Sequence, residues 1–142
     1  MWKLSKNSIN NMKDVDPILH KIVDLALAIS PIDFGIPKNG GVRNTETQFV
    51  MFKNGLSKCD GTEILSRHQS GDALDFYAYV GKASWDEVHL AIVYGALHAS
   101  FEILKLRGEI PDNVELIWGA TFGSDDYHGW DAGHIELAFR LW

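Results

Sequence analysis

The sequence predicts an α+β domain, in which helices pack on a small and largely antiparallel sheet. Two long segments, 15–29 and 84–106, have apolar residues at helical spacing, while 73–80 shows the two-residue alternation of a strand. The predicted order is helix, strand, helix, strand, helix, strand, strand, and loops or hairpins connect the last elements. That order is typical of α+β architecture.

The N-terminal half is expected to supply two helices and the first strand. The helix at 15–29 begins near Pro17, whose missing N–H costs nothing in a first turn. A short strand is expected at 32–36. The second helix covers 45–53 and closes at Gly55, because glycine readily ends helices.

The long helix of the C-terminal half is expected to begin at a capping box formed by Ser84 and Glu87. Gly95 in its interior favours a close approach by another backbone or ring, because glycine otherwise costs a helix up to about 1 kcal/mol. Strands at 114–118 and 135–141 follow. The apolar stripe that we expect this helix to bury consists of Trp85, Val88, Ile92, Gly95, Ala99, Ile103 and Leu106.

Composition indicates one compact domain and excludes several functional classes. The 142 residues are 46% hydrophobic and 23% charged, so we expect a single domain over 1–142. The net charge is -6 and Lys and Arg do not cluster, which excludes a nucleic-acid groove. The N-terminus lacks the apolar stretch of a signal peptide, and no apolar segment is long enough to span a bilayer. We therefore expect synthesis in the cytoplasm and no membrane insertion.

Two short segments carry the residues with the clearest chemistry. In the first, His68 lies seven residues ahead of Asp75, and in the second, Asp131 lies three residues ahead of His134. A catalytic zinc takes three protein ligands and keeps one position for water. The candidate ligands are therefore His68, Asp75 and His134. Asp131 is the candidate base that accepts the proton of the water.

The spacing of the second segment predicts a bend. Residues three apart on a regular strand point to opposite faces, so Asp131 and His134 can reach one metal only if the chain turns between them. Gly133 tolerates the positive backbone angles that such a bend can require. Beyond the bend, Glu136 shares a face with His134 and either orients that histidine or is solvated.

Other residues near these segments have competing interpretations. Tyr77 shares a strand face with Asp75, and such a half-polar face is typical of a cleft. Asp72 could replace Asp75 by residue type, but its register favours a turn-capping role. His128 competes with His134 as the third ligand, although its glycine-rich loop fixes it less well. If none of these residues binds a metal, they cap turns in loops.

Arg43, just ahead of the second helix, also has two interpretations. It either pairs with Glu46 on the surface or directs its guanidinium at a substrate carboxylate or oxyanion. A guanidinium can bind such a group through two parallel hydrogen bonds. The residue pattern leaves both interpretations open.

The motifs of the two segments, with their order and separation, resemble those of a known family. The first reads Ser66-x-His68-x-x-Gly71-x-Ala73-x-Asp75 and the second Asp131-x-x-His134-x-Glu136. They resemble the zinc peptidases of bacterial cell walls, the D-Ala-D-Ala carboxypeptidase (VanY-like) family that includes the vancomycin-resistance enzymes. Within it, the chain looks most like phage endolysins that cut between L-Ala and D-Glu in the peptidoglycan stem, and the similarity covers nearly the whole chain.

The resemblance implies a fold, a cofactor and a set of roles. The fold is the one shared by the D,D-peptidases and the hedgehog signalling proteins, and the cofactor is Zn²⁺. By resemblance, His68, Asp75 and His134 match the zinc ligands, Asp131 the catalytic carboxylate, and Arg43 an arginine that stabilises substrate or transition state. Further candidates for contacts with the ligands or the substrate are Glu136, Ser66 and Tyr77.

The resemblance also implies a biological role. We expect a zinc metallopeptidase that cleaves the L-Ala–D-Glu bond of peptidoglycan stems during phage lysis, acting as a monomer in the periplasm after release by a holin. Asp131 favours this endopeptidase reaction, because the carboxypeptidase branch usually carries Glu there. The alternatives are a D,D-carboxypeptidase that releases D-Ala, a non-catalytic zinc-containing wall-binding domain, and a metal-free domain.

Overall fold

The structure, a computed structural model, describes residues 1–141 as four α-helices, six β-strands and one 3-10 turn. None of the helices in this range is long and apolar enough to cross a membrane. In chain order the elements are α1 (Lys6–Asn11), α2 (Pro17–Ile29), β1 (Asp33–Gly35), α3 (Thr45–Lys53), β2 (Ala73–Asp75), β3 (Tyr77–Tyr79), β4 (Ala83–Ser84), α4 (Glu87–Leu106), β5 (Val114–Trp118), the 3-10 turn (Gly119–Thr121) and β6 (His134–Phe139).

The strands form two antiparallel three-stranded sheets, with the orders β1-β3-β4 and β2-β6-β5. The α+β class is thus confirmed, although the strands divide between two sheets. In the second sheet, Asp75 of β2 lies directly opposite His134 of β6. Side chains at opposite positions of an antiparallel pair are close neighbours. The register therefore brings together two residues that are far apart in the sequence.

The stretch that alternates at 73–80 is two strands, because the chain leaves one sheet for the other at Phe76. The Phe76 N–H donates to the carbonyl of Gly133 at 2.8 Å. Its side chain is fully buried, as the alternation predicted. However, the shared face expected for Asp75 and Tyr77 is not formed, because these residues belong to different sheets.

The core lies between the sheets and the two longest helices, α2 and α4. Asp16 caps α2, and its carboxylate accepts from the Ile18 N–H at 2.8 Å. The capping residue of α4 is Asp86, which accepts from the Val88 N–H at 2.9 Å. The predicted capping box is therefore wrong, and the Ser84 hydroxyl contacts the side chain of His89 instead.

The face that α4 buries is also different from the predicted one. Val88 and Leu106 of the expected stripe are 67% and 88% exposed, and nothing lies within 4 Å of a Cβ placed on Gly95. The helix is apolar nearly all round, so its periodicity does not identify one buried face. The buried residues of α4 are Leu90, Val93, Ala96, Leu97, Ser100, Phe101 and Leu104.

A short N-terminal helix, α1, had no counterpart among the predicted elements and secures the chain after β1. The hydroxyl of Ser5 caps it by accepting from the Ser8 N–H at 3.1 Å. The Ser8 hydroxyl in turn accepts from the Ile36 N–H at 3.0 Å, and the Asn11 amide donates to the Ile36 carbonyl at 2.9 Å. These contacts fix the start of the segment that leads to Arg43.

Candidate metal centre and active site

Three side chains from the predicted set converge on one point. His68 Nε2 lies 3.2 Å from Asp75 Oδ1, and His134 Nδ1 lies 3.1 Å from the same oxygen. The two histidine nitrogens are 3.3 Å apart. One ligand atom from each residue lies within 4.8 Å of the others, so the group can hold a metal ion. We call these three residues the ligand group.

Local structure fixes each member of the ligand group. Asp75 and His134 are held by the pairing of β2 with β6. His68 sits in the turn that leads into β2, where its N–H donates to the Ser66 hydroxyl at 3.2 Å. Its carbonyl accepts from the Arg43 N–H at 3.1 Å. Ser66 thus acts on the backbone of His68.

Each histidine has a partner for the nitrogen that faces away from the group. His68 Nδ1 lies 2.9 Å from the carbonyl oxygen of Gly41, and His134 Nε2 lies 2.9 Å from Glu136 Oε1. Both partners are acceptors, so they favour the tautomers that leave His68 Nε2 and His134 Nδ1 without a proton when the rings are neutral. Such contacts orient metal-binding histidines.

Arg43 forms an ion pair with Asp75. Its side chain is only 6% exposed, and its Nη2 donates to Asp75 Oδ2 at 2.7 Å. Its Nε donates to the Asn39 carbonyl at 2.7 Å and its Nη1 to Gln48 Oε1 at 3.2 Å. The surface pairing with Glu46 is not formed, because the guanidinium points inward. Arg43 fixes the carboxylate oxygen that does not face the histidines.

Gln48 is a member of the site that sequence reasoning missed. Its side chain is fully buried, and its amide donates to the Ser57 hydroxyl and to the Cys59 carbonyl, both at 2.8 Å. It therefore links Arg43 to the loop 54–65. The sequence offered only a polar residue on a helix, which ordinarily indicates a solvated position.

Asp131 lies beside the ligand group and is less constrained than its members. Its Oδ2 is 3.8 Å from His134 Nδ1, and its side chain is 35% exposed. Burial raises the pKa of Asp131, and the neighbouring His134 opposes that rise. A carboxylate placed in this way can exchange a proton with a group bound between it and His134.

The expected bend between Asp131 and His134 is present, and the strand β6 begins only at His134. The His134 N–H donates to the Asp131 carbonyl at 3.1 Å. The reason for Gly133 differs from the predicted one, because its φ is not positive. A Cβ there would lie 2.8 Å from the Phe76 carbonyl oxygen and 2.9 Å from the Trp85 ring, so the position requires glycine for close approach.

The charges of the group depend strongly on one another. Burial lowers the pKa of His134, but its contacts with Asp75 and Glu136 outweigh burial and raise it to about 9. For Asp75, burial alone would raise the pKa, but His68 and His134 hold it well below its usual range. His134 also lowers the pKa of Glu136 against the effect of burial. The carboxylates around His134 therefore favour a positive charge at this point.

Three other candidates lie apart from the group. His128 is 72% exposed in its side chain and approaches Glu87 at 3.7 Å, so it does not replace His134. Tyr77 lines a separate depression beside Ser8 and does not reach the ligands. Asp72 accepts from the Ser70 hydroxyl at 2.9 Å, as expected of a turn residue.

The ligand group and Asp131 form part of the wall of an open cleft of about 450 Å³. Its basic residues are Arg43, Lys58 and Arg67, and its larger apolar residues are Met51, Leu56, Leu65, Phe122 and Trp130. Two imidazole nitrogens and one carboxylate oxygen are a donor set that catalytic metals use, with the remaining position open to water. A ligand in the cleft can therefore reach both the group and Asp131.

Fold and site together define a class, a small α+β protein with a His–Asp–His group that can hold a metal ion. The chain belongs to the phage L-alanyl-D-glutamate peptidase family, whose model matches residues 1–138. This result confirms the family resemblance stated from the motifs.

Individual relatives agree with the family over nearly their whole length. The chain is 33% identical to the L-alanyl-D-glutamate peptidase of Escherichia phage T5 over an alignment of 144 residues. The alignment covers 96% of this chain and 98% of that protein. Its fold is similar to the crystal structure of the Serratia marcescens L-Ala D-Glu endopeptidase ChiX, with a TM-score of 0.73 and 25% identity. That match covers 97% of this chain and 92% of ChiX.

Proposed function

We propose that this protein is a zinc endopeptidase that hydrolyses the L-Ala–D-Glu bond of peptidoglycan stem peptides. The observation that carries the proposal is the convergence of His68, Asp75 and His134 beside Asp131 in one cleft. Membership of the phage peptidase family supports the reaction, and both relatives described above carry this bond in their names.

The metal assignment rests on the donor set. His68 Nε2, His134 Nδ1 and a carboxylate oxygen of Asp75 are the three protein ligands, and the cleft provides the fourth position. When bound, zinc supplies Lewis-acid chemistry, in that it acidifies water and polarises a carbonyl. Two histidines and one carboxylate also suit Fe(II). We prefer zinc because peptide hydrolysis needs no redox change.

Asp131 is the proton-transfer group of the proposal. Its carboxylate accepts the proton of the attacking water and then donates a proton to the leaving nitrogen of D-Glu. In the metal-free protein, burial raises the pKa of Asp131. Since Asp131 donates to the leaving nitrogen, the D-Glu residue lies on the side of the cleft that carries Asp131.

The remaining residues of the site position the reacting groups. Each of the three guanidinium nitrogens of Arg43 donates to a protein group, Asp75, Asn39 or Gln48, so we assign Arg43 to holding Asp75 in place and not to binding substrate. Glu136 orients His134, and Ser66 holds the backbone of His68.

We further propose that the protein acts on the cell wall during phage lysis, as a monomer and as a single domain over residues 1–142. In this proposal it is made in the host cytoplasm and reaches the periplasm through a holin. These parts of the proposal are tested by lysis from within, since activity without a co-expressed holin would contradict the export route.

The decisive experiment is mass spectrometry of purified peptidoglycan digested with the metal-loaded protein. New N-terminal D-Glu on released fragments, lost with a chelator and restored by Zn²⁺ but not by Fe²⁺, is the expected result. Release of free D-Ala would instead assign the protein to the D,D-carboxypeptidases. A zinc-loaded protein that cleaves no wall type would be a binding domain, and a protein purified without chelator that retains no metal would contradict the metal assignment.

A further inference from the structure

Beyond the reaction itself, one basic residue of the cleft has no described role. Arg43 is engaged by Asp75, and the Nε of Arg67 lies 3.7 Å from Glu136 Oε2. Lys58 is exposed and makes no ion pair within residues 1–141. Its ammonium lies 4.5 Å from the centre of the Trp130 ring. An ammonium in this position is free to pair with an anionic ligand.

The proposed substrate carries a matching charge. A glutamate residue inside a peptide keeps one free carboxylate, whichever of its two carboxyl groups continues the chain. In an L-Ala–D-Glu substrate this carboxylate lies within a few bonds of the amide that is cut. We propose that Lys58, supported by the Trp130 ring, is the binding site for this glutamyl carboxylate, an inference that rests on the proposed function.

The position of Lys58 agrees with the side of the cleft that D-Glu must occupy. Trp130 directly precedes Asp131, the group proposed to donate a proton to the D-Glu nitrogen. A row of ring contacts connects the subsite to the ligand group. Phe122 lies 5.3 Å from Trp130 and 5.5 Å from His134 between ring centres. The carboxylate and the scissile nitrogen are thus bound on the same wall of the cleft.

The residues on both sides of Lys58 are anchored, which favours a binding role. The buried amide of Gln48 donates to the Ser57 hydroxyl and to the Cys59 carbonyl, at 2.8 Å each. Lys58 is therefore presented between two anchored residues, with its ammonium beside the Trp130 ring. A group held in this way loses less conformational entropy when it binds a ligand.

The contact between Lys58 and Trp130 also has a purely structural explanation. Lys58 and Trp130 belong to two different loops that line the cleft, and their contact could serve only to connect these loops. A cation over an exposed aromatic ring contributes only modestly to stability. The two explanations differ in one respect, because a loop contact does not depend on the charge of the substrate.

The test compares two peptides that differ only in this charge, one with the free glutamyl carboxylate and one with its amide. The variants are Lys58→Met, Lys58→Arg and, as a matched control, Lys53→Met, because Lys53 lies over the Phe49 ring at 5.7 Å and does not line the cleft. We expect the wild type to prefer the acid by about tenfold in kcat/KM, since one hydrogen bond to a charged group has that effect.

In Lys58→Met we expect kcat/KM for the acid to fall about tenfold, mainly through KM, while the amide is cleaved as by the wild type. Lys58→Arg should keep the preference, and Lys53→Met should behave as the wild type. Equal loss on both peptides, or a preference abolished by Arg67→Gln and not by Lys58→Met, would overturn the proposal. A wild type that cleaves both peptides equally overturns this inference alone, whereas one that cleaves neither overturns the proposed function with it.

Discussion

The two sides of the cleft are built differently. On the ligand side, the side chains of His68 and His134 are 3% and 7% exposed, and each has an orienting partner at 2.9 Å. On the base side, Asp131 is 35% exposed, and its Oδ2 lies 3.8 Å from His134 Nδ1, beyond hydrogen-bonding distance. One side is fixed before any ligand arrives, and the other retains freedom to move.

This difference separates two roles in the proposed function. In that proposal the ligand side sets the affinity for the metal, because its donors are oriented by groups that do not touch the metal themselves. The base side then sets the rate, because Asp131 must change its protonation and contacts during the proposed reaction. Substitutions on either side should therefore lower turnover, but only those on the ligand side should reduce the amount of bound metal.

The largest effect is expected for Asp75→Ala. This variant loses a proposed ligand and leaves the Arg43 guanidinium, which is 6% exposed, without its counter-charge. We expect no measurable cleavage, loss of bound metal, and a decrease of about 3 kcal/mol in the free energy of unfolding of the metal-free protein. Urea denaturation and metal analysis measure these changes. Asp72→Ala is the matched control, and metal loss there would contradict the assignment of Asp75.

The next effect tests the base side. We expect Asp131→Asn to lower kcat by a factor of about 10² to 10⁴, because the amide cannot accept the proton of water. The stoichiometry of bound metal and the thermal stability should stay close to those of the wild type. Kinetics and metal analysis on the same preparation measure both quantities. If Asp131→Asn loses its metal, the two sides of the cleft are not separate.

Residue types and spacing in two segments identified the candidate ligands, and the resemblance to a family supported them, but neither predicted the strand pairing that brings them together. His68 and His134 are 66 residues apart, and the contact between them depends on the pairing of β2 with β6. Local periodicity contains no information on that pairing. The bend before His134 was predictable from spacing, because residues three apart cannot share a strand face.

The features that were predicted wrongly depend on contacts distant in the sequence. The alternation at 73–80 continues through Phe76 because both sheets bury the same side of the chain, so nothing local marks the change of sheet. Gln48 is buried only because Arg43 and the loop 54–65 surround it. By contrast, α3 and β5 were predicted with their observed bounds, since turn residues and capping groups next to them define their ends.

A smaller effect is expected for Glu136→Ala, which changes a group that orients a ligand without being one. Glu136 Oε1 lies 2.9 Å from His134 Nε2, and loss of such a contact typically lowers metal affinity by about 10 to 100-fold. At saturating metal, kcat should recover much of its wild-type value. Glu115→Ala on the neighbouring strand is the control. An unchanged affinity in Glu136→Ala would show that His134 needs no orienting group.

The smallest effect is the release of a proton from His134 when a metal binds. In the metal-free protein the pKa of His134 is raised from 6.5 to about 9, so its contribution to stability is fully present below pH 6.5 and is lost as the pH rises to about 9. A metal must displace that proton, and metal binding at pH 7.5 should therefore release about one proton. Apparent metal affinity should rise about tenfold per pH unit up to about pH 9 and then level off.

Calorimetry in two buffers with different ionisation enthalpies measures the proton release directly. The exposed His98 provides the control, since His98→Gln should release the same number of protons as the wild type. A binding enthalpy that is independent of the buffer at pH 7.5 would mean that His134 is already neutral when the metal arrives. The fixed charge of the ligand side would then come from Arg43 and Asp75 alone, and the contrast between the two sides would be one of geometry rather than of protonation.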